Sequence, residues 1–416
     1  MKPKLYWTLF LSLIAMGLSE TQAETLSRYN PENMEYLGAF RLPHGTFGDA
    51  RTVDSPGAIE VDEKNGRFFM VGNTNKSIAE FRLPDSYSKS ERLEDLPMVS
   101  PPTQNFVNII SRAENGNPND VNLITGLKLI QGKLVANAAV YYDGSGSNRD
   151  TTLIVENPDD LAGSKVTGFM RLEGTAHSAG WITELPSPYQ EIFGKDLIYG
   201  YASNISINGR LSIGPTLFTG DTVDLINSKS GETIETNALI DFGMYNKLHP
   251  DLSNDSLNND LWTELSEAYY GFIVPGSRTY FTIGNSGGHS SGIGYKITQP
   301  NGYSCGGFCA KDHRDYYNHI WLWDMNDVER SFKGEIAAHE IRPYRWEKIK
   351  VPFQERSDNA PSLIIGATTT RSGLLYIVLD QADGLQSKYS TLPIILVYDL
   401  FPDIENPAPP TRVKVE

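Results

Sequence analysis

Only two cysteines, Cys305 and Cys309, occur in 416 residues. Two are too few for a disulfide framework, so stability must come from a buried core, which a chain of this length can form. Long apolar helical patterns are scarce. After residue 23 no stretch approaches the ~18 consecutive apolar residues of a membrane helix. Basic residues are in deficit: 36 Lys and Arg against 51 Asp and Glu leave a net charge of −15. Such a surface argues against nucleic acid and anionic membranes as partners, although a local basic pocket can still take an anionic substrate. The phosphate-binding glycine loop and the dinucleotide fingerprint are also missing.

What is present begins with a leader. Lys2 and Lys4 precede an apolar run from Leu5 to Leu18, and Thr21-Gln22-Ala23 reads as a small-residue cleavage site. Residues 1–23 are therefore expected to be a signal peptide. Residues 24–416 should then form one domain, secreted or periplasmic, and monomeric.

Strand-like runs then return in a fixed order. Residues 36–43 form a strand ended by proline. Residues 57–62, a turn at Lys64-Asn65-Gly66, and residues 67–72 and 78–83 read as strand, hairpin, strand and outer strand. The same grammar recurs at 124–130, 133–143 and 151–155, at 270–274, 278–284 and 319–324, and at 362–366, 374–380 and 394–399. Residues 197–218 fit a more irregular copy. Repeats built only of strands indicate a β-propeller. The expected fold is all-β: a seven-bladed β-propeller of four-stranded antiparallel blades, because six or seven blades would fill the length.

Both cysteines fall in a dense stretch from His289 to Trp323 that also holds His313 and His319. His289, Cys305, Cys309 and His313 offer two thiolates and two imidazoles, the ligand set of a closed structural zinc site. The competing reading is a disulfide between Cys305 and Cys309, natural in an exported protein. Four protein ligands would leave such a zinc no open position, so no cofactor is expected to serve catalysis. Elsewhere His177 lies among small residues just before a strand, where its ring is either open to a cavity or bonded within a turn. Arg210 precedes the Gly214-Pro215 break at a strand end, placed either to bind a ligand or to bond blade carbonyls.

Leu37-Gly-Ala-Phe-Arg-Leu-Pro43, Val140-Tyr-Tyr-Asp143, Arg210-Leu-Ser-Ile-Gly-Pro215, Gly288-His289 with the following Gly-x-Gly-Tyr295, and Tyr317-Asn-His-Ile-Trp-Leu-Trp-Asp324 resemble the secreted propeller-fold ulvan lyases. The resemblance implies a seven-bladed propeller and β-elimination on an acidic, sulfated polysaccharide. In that reaction a base removes the C5 proton of a uronic residue, and an acid protonates the leaving oxygen of a 3-sulfated rhamnose. Arg210 matches the arginine that neutralises the uronate carboxylate. His177, Tyr201 and Tyr245 are the candidates for base and acid, and Tyr141, Tyr142 and Arg149 for substrate binding. The chain departs from the family between Tyr141 and Thr152, where a histidine is expected and none stands. The alternatives are a glycan-binding propeller without catalysis and a glycoside hydrolase.

Overall fold

The computed structural model describes residues 26–143, 148–202, 212–356, 360–387 and 390–401. The expected leader and Arg210 lie outside them. No helix of the described residues is long and apolar enough to cross a membrane.

Hairpin turns and doubly buried runs set the local structure. Gln131 and Gly132, with φ of 49° and 81°, form the left-handed two-residue turn that matches strand twist, which explains the reversal between Leu123–Ile130 and Lys133–Ala139. Strands such as Thr279–Gly287 are buried along their whole length. They read as continuous apolar or small runs because neighbours cover both faces.

These strands form five sheets. Blade 1 is Ile59–Asp62, Arg67–Val71, Ser77–Arg82 and Gln104–Asn108, and blade 2 is Leu123–Ile130, Lys133–Ala139, Thr152–Val155 and Val166–Leu172. Blade 3 is Ile182–Glu184, Leu197–Tyr199, Leu217–Gly220 and Asn237–Ile240, and lends Thr233–Ile234 as a parallel edge to blade 2. Blade 4 is Glu267–Ile273, Thr279–Gly287, Tyr316–Asp324 and Arg345–Ile349. Blade 5 is Ile364–Thr369, Leu374–Asp383, Leu392–Asp399 and, from the other end of the chain, Glu35–Arg41. The first strand of each blade touches the first strand of the next, and blade 5 returns to blade 1. The ring is a five-bladed propeller.

The expectation of seven blades is thus corrected to five. The four clear repeats and the irregular fifth are the blades themselves. Long connections, such as 83–103, 241–266, 288–315 and 325–344, take up the length that two more blades were expected to fill.

The ring is closed by pairing Glu35–Arg41 with Leu392–Asp399. Arg41 donates to both oxygens of the fully buried Asp383, at 2.8 and 3.3 Å, the fork geometry that makes such pairs strong. Trp181, Trp262, Trp321 and Trp323 are buried in one core cluster.

Half-way down the central channel sits a polar plug. Lys128 Nζ of blade 2 lies 3.0 Å from the Glu60 carboxylate of blade 1. Glu60 also accepts from Leu129 N at 3.1 Å and Thr368 Oγ1 of blade 5 at 2.8 Å. Tyr270 OH of blade 4 meets Thr369 Oγ1 and N, both at 3.1 Å. Four blades are bolted together through this layer.

Candidate active site

The chain's shape builds a cavity from one repeated irregularity. Three of the inner strands carry a one-residue bulge near their first residues: the register slips at Thr125 between Ile124 and Gly126, at Tyr269 between Ala268 and Tyr270, and at Ile365 between Ile364 and Gly366. A bulge leaves its extra residue unpaired and re-aims its side chain. Thr125, Tyr269 and Ile365 all line one cavity of about 320 Å³ at the mouth of the channel. The bulges need close backbone approach. A Cβ on Gly366 would stand 1.9 Å from the Gly57 carbonyl oxygen, so only glycine fits there.

Trp181, Tyr201, Tyr141 and Glu267 complete the functional part of the wall. Gly180, next to Trp181, is held by Asn137 Nδ2 at 3.0 Å across the blade 2–blade 3 boundary. Beneath Trp181 and Tyr269 the open space narrows to about 10 Å³, about the room that one water needs.

Its chemistry centres on Glu267. Burial pushes this carboxyl above its ordinary value, and a hydrogen bond donated by Tyr269 OH pulls it part of the way back. The Tyr269 phenol is itself driven well above 10 by burial and by the Glu267 charge, with smaller contributions from Tyr201 and Asp380. Asp380 is a second perturbed carboxyl. Burial lifts it to about 6, hydrogen bonds from Gln381 lower it, and the nearby Asp54 charge raises it. Asp54 precedes Ser55 of the cavity wall. Two carboxyls whose pKa burial raises, at or near a cavity with four aromatic residues in its wall, are the pattern of general-acid chemistry.

The sequence-derived candidates divide. Tyr201 and Tyr141 reach the cavity. Tyr142 is an exposed neighbour, 58% open, that does not line it. His177 is bound elsewhere: its Nδ1 lies 2.5 Å from Asp241 Oδ1. Arg149 is exposed, with Nη1 3.0 Å from the Asn148 carbonyl. Tyr245 is 96% exposed in a separate surface groove. Glu267, Tyr269 and Asp380 were missed, because a bulge breaks the alternation by which strand residues are assigned a face.

The expected zinc ligands do not converge. Cys305 and Cys309 are joined by a disulfide, with Cα atoms 6.4 Å apart, so neither sulfur is a thiolate. His289 is engaged at both ring nitrogens, Nε2 at 2.6 Å from Ser286 Oγ and Nδ1 at 2.8 Å from the Asn259 carbonyl. His313 lies beside Asp312 instead. Among the described residues no three His, Cys, Asp or Glu side chains gather as a metal site. The disulfide closes the hairpin of Ile293–Tyr295 and Phe308–Ala310, which stands on the cavity face. Gly288-His289-Ser290-Ser291-Gly292 has the spacing of a hydrolase nucleophile elbow. Here it leads into that hairpin rather than a helix, and Ser290 Oγ meets only the Tyr317 hydroxyl, at 3.2 Å.

His289 and His319 instead form a buried stack with Trp321, with centroids 5.7 and 4.5 Å apart. Burial pushes both imidazoles below the ordinary 6.5, His319 furthest, and their mutual charge adds to that of His319. The unfolded chain therefore binds protons first as pH falls. Their stabilisation is whole above about pH 6.5 and drains away below it, at about 1.4 kcal/mol per unit of depression. His319→Phe should flatten the fall in thermal midpoint between neutral and mildly acidic pH; a wild-type slope in this variant would remove the stack as its cause.

No protein-family model matches the sequence, and no curated protein matches it. Among solved structures, the chain is similar to a candidate glycoside hydrolase from Bacteroides ovatus, at 11% identity and TM-score 0.41, over 90% of this chain and 96% of that one. An endo-arabinase from Bacteroides thetaiotaomicron matches at 10% identity and TM-score 0.37, over 86% and 96%. A luciferin-regenerating enzyme matches at 9% and 0.34, over 88% and 94%. Likeness this distant carries no argument about the reaction, since one fold hosts many chemistries.

Proposed function

We propose that the chain cleaves glycosidic bonds in the cavity at the mouth of its propeller, with Glu267 as general acid. One observation carries the reading: a carboxyl whose pKa burial raises, hydrogen-bonded by Tyr269, in a cavity whose wall includes Tyr141, Trp181, Tyr201 and Tyr269. Glycoside hydrolysis needs such an acid and a second, ionised carboxylate to activate water or attack the sugar. Asp54, next to Ser55 of the cavity wall, is the carboxyl proposed as that partner. Tyr201 and Tyr269 supply the flat apolar surface that a sugar ring covers on binding.

The second reading is β-elimination on an acidic polysaccharide, which the chain's resemblance to ulvan lyases implies. Tyr201 and Tyr141 in the cavity favour it. Among the described lining residues no Lys, Arg or His stands ready to neutralise a uronate carboxylate, and Arg210, the arginine the resemblance implies for that role, lies outside the described residues. Product chemistry separates the two. Hydrolysis yields new reducing ends without the ultraviolet absorbance of an unsaturated uronate, and elimination yields both. The hydrolase reading fails if ulvan is cut with that absorbance, or if no glycoside or polysaccharide in a broad panel is cut at all.

A further inference from the structure

Tyr245 has no role in the cavity, yet its ring stands almost wholly in solvent. It belongs to the connection 241–266, between the outer strand of blade 3 and the inner strand of blade 4. In a four-stranded antiparallel blade the outer strand ends on the side where the inner strand begins, so this connection lies on the cavity face. Tyr245 and Met244, the latter 43% exposed, form one side of a groove of about 450 Å³. Lys247, His339 and Arg342 line the rest, and no acidic residue does.

None of these three basic side chains makes an ion pair among the described residues, whereas Arg41, Arg67, Lys128, Arg345 and many others do. Arg342 is also held in place. One of its terminal nitrogens donates to the carbonyls of His339 and Ile341 at 2.6 and 2.9 Å, and its guanidinium lies over Phe242, 5.9 Å from the ring centroid. The other donors of the fork remain for a ligand. Burial depresses its pKa, with only Glu340 acting the other way, so its charge is partly desolvated and lacks a counter-ion.

We propose that this groove is a second binding site, outside the cavity, for a polysaccharide that carries carboxylate or sulfate groups. The three cations meet the acid groups along the strand, and the Tyr245 ring supports a sugar face between them. In a protein of net charge −15, such an unpaired basic island is a local attraction for anions. The site goes beyond the cavity reading and stands whether or not Glu267 is an acid. A folded protein or a nucleic acid strand would also meet positive charge, but the surrounding acidity repels the dense, regular charge of nucleic acid.

The test is affinity electrophoresis of the whole protein through gels containing dextran sulfate, polygalacturonate or neutral dextran. Retardation is expected in at least one anionic gel and none in neutral dextran. Preference between the two anionic polymers identifies sulfate or carboxylate as the recognised group. Lys247→Gln/Arg342→Gln and Tyr245→Ala should each weaken binding, the double variant about tenfold, and added salt should weaken the wild type. Turnover of a small glycoside should not change, because none of these side chains lines the cavity. Four results would overturn the proposal: no retardation of wild type, equal retardation in neutral dextran, wild-type retardation of both variants, or tighter binding of a single-stranded oligonucleotide than of either polymer.

Discussion

Glu267→Gln is expected to lower turnover of a glycoside with a poor leaving group by about a thousandfold, within the range that a positioned general acid supplies. The fold and sugar binding should survive, because glutamine keeps the shape and can still accept from Tyr269. With an aryl glycoside whose leaving group needs no proton, the loss should be far smaller. That contrast is the signature of a missing acid rather than a damaged pocket. The pH profile gives an independent reading. Only the protonated carboxyl is active, so activity falls as pH rises through its elevated pKa. Tyr269 donates to the carboxylate and thereby holds that pKa down. Tyr269→Phe should therefore move the alkaline limb to higher pH, and Glu267→Gln should erase it. A glutamine variant that turns over a poor-leaving-group substrate like wild type would end the assignment.

Lys128→Met should cost about 3–5 kcal/mol of stability, the usual result of stripping one partner from a buried ion pair. Burial by itself would drive the Lys128 ammonium toward neutrality, but the Glu60 charge and hydrogen bond outweigh it and hold the pKa above the ordinary value. Remove the ammonium and the Glu60 carboxylate, 2% exposed, keeps only Thr368 and Leu129 N. Glu60→Gln added to Lys128→Met should recover most of the loss, since the amide oxygen can accept from Leu129 N, the amide NH2 can donate to the Thr368 hydroxyl, and no charge is stranded. Urea unfolding midpoints of the two single variants and the double close the cycle. Equal midpoints for Lys128→Met and wild type would mean that the plug is ornamental and that packing alone seals the channel.

Much of the architecture is legible in the residues themselves. Arg67–Val71, Lys133–Ala139 and Leu374–Leu379 announce strands because they are apolar on both faces, and Gly66 and Gly132 announce their turns. Blade 3 is nearly silent: Ile182–Glu184 and Leu197–Tyr199 are three residues each, too short for a period to show. The ring closure is visible only as a leftover strand, 36–43, with no partner nearby in sequence. The cavity is the least legible part. Reading blade 4 as beginning at Tyr270 drops Glu267 and Tyr269, because the bulge makes 267–270 look out of phase. A helpful signal was nonetheless present: an acid two residues before a pair of tyrosines, at the head of a strand destined for the channel. The four residues read as zinc ligands are not brought together, for a different reason. Ligand types were counted along the chain, but the His289 ring turns inward to Ser286 and Asn259 while the cysteines bond each other.

Because blade 5 takes its outer strand from residues 35–41, the ring is closed by strands far apart in the sequence. A chain leaving the ribosome carries that strand as an unpaired edge through the making of four whole blades, and only the last strands, 392–399, can cover it. Until then the exposed edge is open to pairing with other chains. A product that stops short by one strand lacks far more than a fifth of its function. Blade 5 contributes Ile365 to the cavity wall and Asp380 beside it, so premature termination and trimming at the front end strike the same site. For this protein, completeness of the polypeptide is a precondition of the cavity itself.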